Sequence, residues 1–508
     1  MAAPFAYKTQ PYEHQRDILR RMHNLPGFGL LWEMGVGKTK PAIDLSAYLA
    51  QQDAIGGIIV VAPNGVHTNW VTDELPAHFS IPHTSHAYYI TQAGQEAHEK
   101  SLRRMLHADF PVLTLSYHAL LNERLLSGEE KRSEFVSTGG LLMDFIKQRR
   151  PLVVFDESSK LKNPKGKMAM RGRALARYCA WRRILEGTPV TNGPTDLYSQ
   201  FMLLDENFWN YHGLSTYTAF KNEFTIQVPI KGVVLKTKDG TPRTGKWATP
   251  MRTAGPRNLD RLYRLIEPIS HRLLKEDVLD LPPKTYQYRT FQLSPRQREV
   301  YDRLRKEFMV RIGDDLITAE MPITRLLRLH QVTSNYLPSE DGEEELLVDP
   351  KSNPRLEALQ DLCEEIPHQC IIWARFKKDS DFIAKMLDSI KRSWVRYDGS
   401  STDQQKTQAV ASFKGGSSQF IIGRTQSGLA RGQTLVCAKT VVYYNNTFAL
   451  GDRLQSEDRA HRIGQDDPVL YWDLVADRTV DRRITESLRS KFDIAAQVTH
   501  DRLREWLT

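Results

Sequence analysis

One stretch constrains the fold of this chain more than any other. An apolar run, Leu30-Leu31-Trp32, passes into Glu33-Met34-Gly35-Val36-Gly37-Lys38-Thr39 and then into a helix-like segment. Strand, glycine loop and helix in that order are the entry into an α/β sheet. Glycines let the amides of Gly35, Val36, Gly37 and Lys38 approach phosphate oxygens, and the helix N-terminus adds a positive dipole. Lys38 has the reach for β and γ phosphates, and the Thr39 hydroxyl can hold Mg²⁺. Pro41 falls in the first helical turn, where a missing amide costs little. The strict pattern has glycine where this chain has Trp32. Taken alone, the loop is therefore a nucleotide site or a turn that caps a helix.

A phosphate loop needs a carboxylate at a neighbouring strand end. The apolar run Leu152-Val153-Val154-Phe155 ends in Asp156-Glu157. Asp156 is placed to position Mg²⁺ and Glu157 to polarise an attacking water. Phosphoryl transfer spreads charge onto phosphate oxygens, so further cations must complete the site. Arg459 and Arg462 are the candidates. Three residues apart, they would share one face of a helix.

Short apolar runs at 29–32, 57–62, 112–115, 152–155 and 183–185 alternate with helical stretches, and the habit repeats at 370–374, 394–397, 419–423, 440–444 and 469–474. Alternation of this kind predicts α/β architecture, two tandem doubly wound parallel-sheet domains. Two additions stand out. Residues 207–257 are rich in Gly, Pro, Thr and Lys, and 224–235 and 246–249 flank a Lys238-Asp239-Gly240 turn, which predicts a β-hairpin-like insert. In the second half, Tyr301, Leu304, Phe308 and Ile312 fall at helical spacing, which predicts a helical insert. Leu281-Pro282-Pro283-Lys284 should break any helix. The expected division is 1–274 for the ATP-binding domain, 275–290 for a linker, 291–350 for the helical insertion, 351–479 for the second domain and 480–508 for a C-terminal packing helix.

Composition excludes several classes. With 40% apolar and 26% charged residues in 508, the chain reads as globular, and no run approaches the roughly 18 apolar residues of a membrane helix. The four cysteines, Cys179, Cys363, Cys370 and Cys437, lack zinc-ligand spacing and read as reduced thiols. His78, His83 and His86 read as surface histidines. Net charge is +9, too little to identify a partner, but nine basic and no acidic residues lie between Lys160 and Leu185. This run is a candidate surface for an anionic polymer.

The motifs and their order resemble superfamily-two helicases, and among them the SWI/SNF-related ATPases. The resemblance implies two RecA-like domains and carries roles residue by residue. Pro11-Tyr12-Glu13-His14-Gln15 is similar to the adenine-reading segment, with Gln15 touching the base. Val60-Val61-Ala62-Pro63-Asn64, followed by Asn69-Trp70, resembles the first DNA-contacting motif, and Ser116-Tyr117 the second. Asp156-Glu157-Ser158-Ser159, then Lys162, resembles the hydrolysis motif, and Gly187-Thr188-Pro189 the motif that couples hydrolysis to DNA contact. Arg272-Leu273-Leu274-Lys275 resembles the interdomain stretch. In the second half, Arg375, Gly399 and Thr425 fall in DNA-facing motifs, and Gln455 opens the signature that runs through Arg459-Ala460-His461-Arg462-Ile463-Gly464-Gln465, where Gln455 is expected to couple and both arginines to meet ATP. Ser158-Ser159 replace the family's usual Ala-His, and 426–435 is one residue longer than the family's Gly-rich motif.

What the resemblance implies is an ATP- and Mg²⁺-dependent motor on DNA, held through the phosphate backbone, of duplex or branched form. The implied DNA contacts are Pro63, Asn64, Asn69, Trp70, Ser116, Lys160, Lys162, Thr188, Arg375, Gly399 and Thr425. The rival readings are a fork- or junction-remodelling helicase, a nucleotide-gated clamp without turnover, and an RNA helicase. A monomer is expected, with no membrane association. The nearly bare motor length points to a cytoplasmic protein of prokaryotic or bacteriophage origin rather than a nuclear one.

Overall fold

The computed structural model describes residues 5–88, 95–121, 141–230, 251–314, 320–338, 344–399, 401–425, 429 and 433–499. The chain divides into two units, one running to Leu279 and taking in the end of the last helix from Asp493, the other spanning Asp280–Phe492.

The first unit is built on strands Gly27–Trp32 (β1), Ile58–Ala62 (β2), Thr84–Tyr88 (β3), Pro111–Ser116 (β4), Leu152–Asp156 (β5), Trp181–Leu185 (β6) and Ser270–Leu273 (β9), with Thr225–Pro229 (β7) and Met251–Pro256 (β8) set apart as an antiparallel pair. The sheet order is β3-β4-β2-β5-β6-β1-β9, and all its pairings are parallel. Helices cover both faces, so a central strand is apolar on every residue. In β2 this is literal. Ile59 and Val61 enter one core with Phe155 and Leu115, while Ile58, Val60 and Ala62 enter the other with Val154 and Val112. The sheet brings the C-terminal ends of β1, β5 and β6 to one edge, where parallel sheets bind ligands.

Two edge strands, β3 and β9, do not stand out in the sequence. Their residues Thr84-Ser85-His86 and Ser270-His271-Arg272 are polar, running from exposed at Thr84 to buried at Ser270. Where the hairpin-like insert is expected, β7 and β8 form an antiparallel pair, and the expected strand 246–249 lies outside the described residues. The Lys238-Asp239-Gly240 turn and Lys231, Lys236, Arg243 and Lys246 lie outside the described residues.

In the second unit, Lys284–Phe291 (β10), Cys370–Ala374 (β13), Trp394–Tyr397 (β14), Phe420–Arg424 (β15), Thr440–Tyr443 (β16) and Val469–Ala476 (β17) form a parallel sheet in the order β10-β17-β16-β13-β15-β14. Tyr336–Pro338 (β11) and Glu344–Leu346 (β12) make a small antiparallel pair. The stretch 275–290, expected as a linker, is corrected here. From Lys284 onward it is β10, paired with β17 along all eight residues. Pro282-Pro283 ends one segment, and the alternating Thr285, Tyr286, Gln287, Tyr288 then fit an edge strand. The expected helical insertion contains helices Pro295–Asp314 and Glu320–Thr333. Tyr301 is buried and Leu304 half-buried, whereas the side chains of Phe308 and Ile312 lie outside the described residues. The last helix is Val480–Thr499, with Val480, Ile484 and Leu488 buried, and 500–508 lie outside the described residues. Among the described residues no helix is long and apolar enough to cross a membrane.

Candidate active site and nucleic-acid interface

The phosphate loop begins where β1 ends. Glu33 donates its amide to the Leu273 carbonyl at 2.8 Å, and the Glu33 carboxylate accepts from the Lys275 amide at 3.0 Å. Gly35 and Gly37 both have φ of +84°, the left-handed region that glycine enters without penalty. A Cβ on Gly37 would stand 2.6 Å from the Gln15 side chain. That proximity has a reason. Gln15 donates to the Gly37 carbonyl at 3.0 Å and accepts from the Tyr12 amide at 3.0 Å, clasping the loop from below. The helix Thr39–Gln51 starts directly after Lys38. Trp32, in the place of the pattern's glycine, is fully buried and donates its indole N–H to His271 Nδ1 at 3.0 Å. The pattern's first glycine is dispensable because this position belongs to the strand.

Opposite in the sheet stand the carboxylates. Asp156 ends β5, buried, and its Oδ2 accepts the Trp70 indole N–H at 3.0 Å. Burial pushes its carboxyl up, against the opposing pull of Lys38 and the Trp70 hydrogen bond. Glu157 takes φ of +57°, an uncommon conformation for a non-glycine residue, and donates its amide to the Leu185 carbonyl at 2.8 Å. One strand over, Glu186 is buried. Its Oε2 accepts the Ser159 amide at 2.6 Å and its Oε1 the Thr188 amide at 2.9 Å. Burial first, and the charge of Glu157 second, push it up to about 7. Gln200 makes a parallel tie. It accepts from Ser158 Oγ at 2.8 Å and donates to the Pro189 carbonyl at 2.8 Å. Arg272 donates to the carbonyls of Leu31 and Gly187.

This donor set fits a phosphate chain with a divalent cation. The glycine loop offers amides, Lys38 offers a cation, and Thr39 with Asp156 offers hard oxygen ligands. Among the described residues no group of three His, Cys, Asp or Glu side chains forms a protein-only metal site. All four cysteines are free thiols.

The expected DNA contacts divide. Asn64, Asn69, Lys160 and Gly399 are exposed. Lys162 and Arg375 are half-buried and engaged: Lys162 with Thr191 and, at 3.6 Å, Asp196, and Arg375 with His330 Nδ1 at 3.1 Å. Trp70 is corrected. It is 2% exposed and its indole is bonded to Asp156, so it holds that carboxylate and offers DNA no face. Ser116 is corrected for the same reason, being 1% exposed and bonded to the Ala119 amide. Pro63, Thr188 and Thr425 are also buried, leaving little side-chain surface to a polymer. Nor is the basic run one surface. Lys165 and Lys167 are exposed beside Lys160. Arg173 is spent on Ser199 and Pro164, Arg177 pairs with Glu206 at 2.6 Å, and Arg183 is fully buried on the carbonyls of Met22, Leu25 and Pro26.

In the second unit the arginine signature follows a helix without belonging to it. The helix Leu450–Glu457 carries Gln455, and Arg459 and Arg462 come after its end. The expected shared helical face is therefore corrected. The Arg459 carbonyl, which a continuing helix would need, accepts the Leu435 amide at 2.8 Å. Arg459 donates to the Gln455 and Gln433 carbonyls and to Asp458 at 2.9 Å. Arg462 bonds Thr434 Oγ1 at 3.1 Å and lies 3.5 Å from Asp458. Asp458 thus gathers both arginines. Gln465 fastens the turn by donating to the carbonyls of Val436, Ala438 and Ala460.

Sequence reasoning passed over Glu186, Gln200 and Asp458. A hint for Glu186 was present: an acid directly after the buried Ile184-Leu185, as Asp156 follows Phe155.

Comparison with known proteins agrees with this geometry. The SNF2-related domain matches residues 16–335, and the helicase conserved C-terminal domain matches 354–464. "TATA-binding protein-associated factor mot1" of Aspergillus fumigatus is 26% identical over 391 residues, covering 68% of this chain and 20% of its own length. "Transcription regulatory protein SNF2" of Saccharomyces cerevisiae is 23% identical over 486 residues, covering 92% and 26%. The Drosophila melanogaster "SWI/SNF-related matrix-associated actin-dependent regulator of chromatin subfamily A-like protein 1" is 26% identical over 399 residues, covering 76% and 47%. The chain therefore spans from a fifth to about half the length of these relatives. They are eukaryotic, so the expected prokaryotic or phage origin gains no support from them. A solved structure, the "Sulfolobus solfataricus SWI2/SNF2 ATPase core in complex with dsDNA", covers 98% of this chain and 95% of its own at 21% identity with a TM-score of 0.40. The domain match spans well over half of the residues, and the chain belongs to the SNF2-related family of ATP-dependent helicase and remodeller domains.

Proposed function

We propose that this chain is an ATP hydrolase driven by duplex DNA, and that it translocates along the duplex without regard to sequence. The observation that carries this reading is the junction of β5 and β6. There Ser158 and Ser159, which directly follow Asp156-Glu157, are tied through Gln200 and Glu186 to Pro189 and Thr188, so the segment behind the hydrolytic pair and the coupling segment share one hydrogen-bonded frame. Lys38 and the amides of Gly35–Lys38 bind the phosphates. Thr39 and Asp156 would hold Mg²⁺, which would offset phosphate charge. Trp70 holds Asp156 in place, and Glu157 orients the attacking water and takes its proton. Arg459 and Arg462, gathered by Asp458, are the cations assigned to the charge that develops in transfer. Gln15 props the phosphate loop and is in place to sense the base. The exposed Asn64, Asn69, Lys160 and Gly399 contact backbone phosphates, which carry no sequence information. One chain holds the whole motif set, so a monomer suffices.

The antiparallel β7–β8 insert, with Ile226 and Met251 exposed, supports a second reading, action at a fork or junction. Phosphate release measured with single-stranded, duplex, forked and four-way DNA and with RNA separates the readings. Duplex stimulation supports a translocase, and a clear excess with branched DNA moves the assignment to the second reading. Absence of turnover leaves only a clamp, and RNA outperforming DNA removes the DNA assignment.

A further inference from the structure

We infer that Glu186 is the positioning residue through which DNA contact reaches the hydrolytic pair, an inference that rests on the function proposed above. Ser159 and Thr188 lie on two separate segments, one after β5 and one after β6. The β5–β6 register sets Asp156 beside Leu185, so the residue following each strand emerges at the same edge. Glu186 then divides its carboxylate between the segments, one oxygen on the Ser159 amide at 2.6 Å and the other on the Thr188 amide at 2.9 Å. The group is 1% exposed, so a bond lost to either segment is poorly replaced by water. Ser159 is two residues from Glu157, whose backbone is held at φ +57° with its amide on the Leu185 carbonyl. Glu157 is thus fixed from both sides, at its own amide and, through Ser159, at the Glu186 carboxylate. A displacement of Thr188 pulls the same carboxylate and turns the Glu157 segment. The Ser158 to Gln200 to Pro189 tie runs beside it and keeps the two segments in register when the carboxylate bond is altered. Glu186 touches neither phosphate nor water in this scheme. It acts through Glu157.

The test compares wild type with Glu186→Gln and Glu186→Ala, reading phosphate release with and without saturating linear duplex, together with KM for ATP. Gln keeps the shape and one acceptor oxygen, so it preserves one bond of the two. Ala removes both. The ratio of kcat with duplex to kcat without it is expected to fall about tenfold in Glu186→Ala and by less in Glu186→Gln, with KM for ATP within about twofold of wild type. Gln is the near-isosteric variant that keeps the question open if Ala fails to fold. A wild-type ratio in either folded variant overturns the inference. So does an equal loss of kcat with and without DNA, which is what a purely structural role gives. A wild type that DNA does not stimulate overturns the proposed function itself, and the coupling with it. The two failures are therefore distinct.

Discussion

Each unit buries a charged network, and the two are built on opposite principles. In the second unit Arg453 donates to Asp473 at 2.5 Å and to Glu457 at 2.7 Å, and Glu457 also receives Lys284 at 3.1 Å and the Tyr286 hydroxyl at 2.8 Å. Burial pushes Glu457 up, but Lys284 and Arg453 more than offset it and hold the carboxyl below its ordinary value. Arg453 also lies 3.6 Å over the Tyr443 ring. In the first unit Asp156 and Glu186 are both buried and both pushed up, and Lys38 only partly opposes the shift at Asp156. A balanced network is a scaffold: it holds the turn that carries Arg459 and Arg462. A network with excess negative charge suits the cation-assisted site proposed above. Location separates them too: Asp156 and Glu186 stand at the ends of β5 and β6, whereas Lys284 opens β10, Asp473 lies within β17, and Arg453 and Glu457 belong to the helix Leu450–Glu457.

The widest break between them is catalytic. Glu157→Gln should lower phosphate release by about 10²–10⁴-fold. Arg453→Ala should leave two buried carboxylates poorly compensated and cost about 3–5 kcal/mol, read as a lower urea midpoint. The counterpart in the first unit goes the other way. Asp156→Asn keeps an acceptor for Trp70 while removing a buried charge, so the urea midpoint should hold or rise even as activity is lost. An unfolding free energy that drops by several kcal/mol would mean that Asp156 is scaffold after all.

The pH response sharpens the contrast further. Buried His330 is held down to about 3 by burial, with Asp481 opposing and Arg375 and Arg355 reinforcing. Its folded value lies below the unfolded one, so its contribution is present above pH 6.5 and is lost as pH falls toward 3. Glu186, pushed up to about 7, has its folded value above the unfolded one. Its contribution is present below about pH 4.5 and is lost as pH rises toward 7. Between pH 7 and 5 the stability difference between wild type and His330→Gln should therefore shrink on acidification, by about 2 kcal/mol. The difference between wild type and Glu186→Gln should grow. Parallel slopes would remove the distinction. The smallest effect is at the surface. Lys160→Ala should reduce the salt dependence of duplex affinity by about 0.9 in log–log slope, one phosphate lost, and the paired Arg177→Ala should leave it unchanged.

These contrasts show what a single sequence discloses. Central strands such as β2 and β13 are buried on both faces and announce themselves as unbroken apolar runs. Edge strands β3, β9 and β10 face solvent on one side and mix polar with apolar residues, so they resemble loops or linkers. The phosphate loop is legible because its function requires glycine at +84°, and backbone need is written in residue type. Trp70 shows the opposite case: a motif fixes identity and order but not which way a ring points, and here it points inward to Asp156. Arg459 and Arg462 have helical spacing, yet a backbone bond from Leu435 ends the helix before them. Glu186 went unnoticed because its role depends on a neighbouring strand 29 positions upstream, which spacing along the chain does not reveal.

The central claim is that hydrolysis at the carboxylate-rich site moves this chain along duplex DNA. Displacement of a third strand from a triplex on linear duplex tests it most directly, since the third strand is released only when a motor passes beneath it. The account predicts ATP-dependent displacement by wild type, indifferent to the sequence of the flanking duplex and abolished in Glu157→Gln. Duplex-stimulated ATP hydrolysis without any displacement would contradict it.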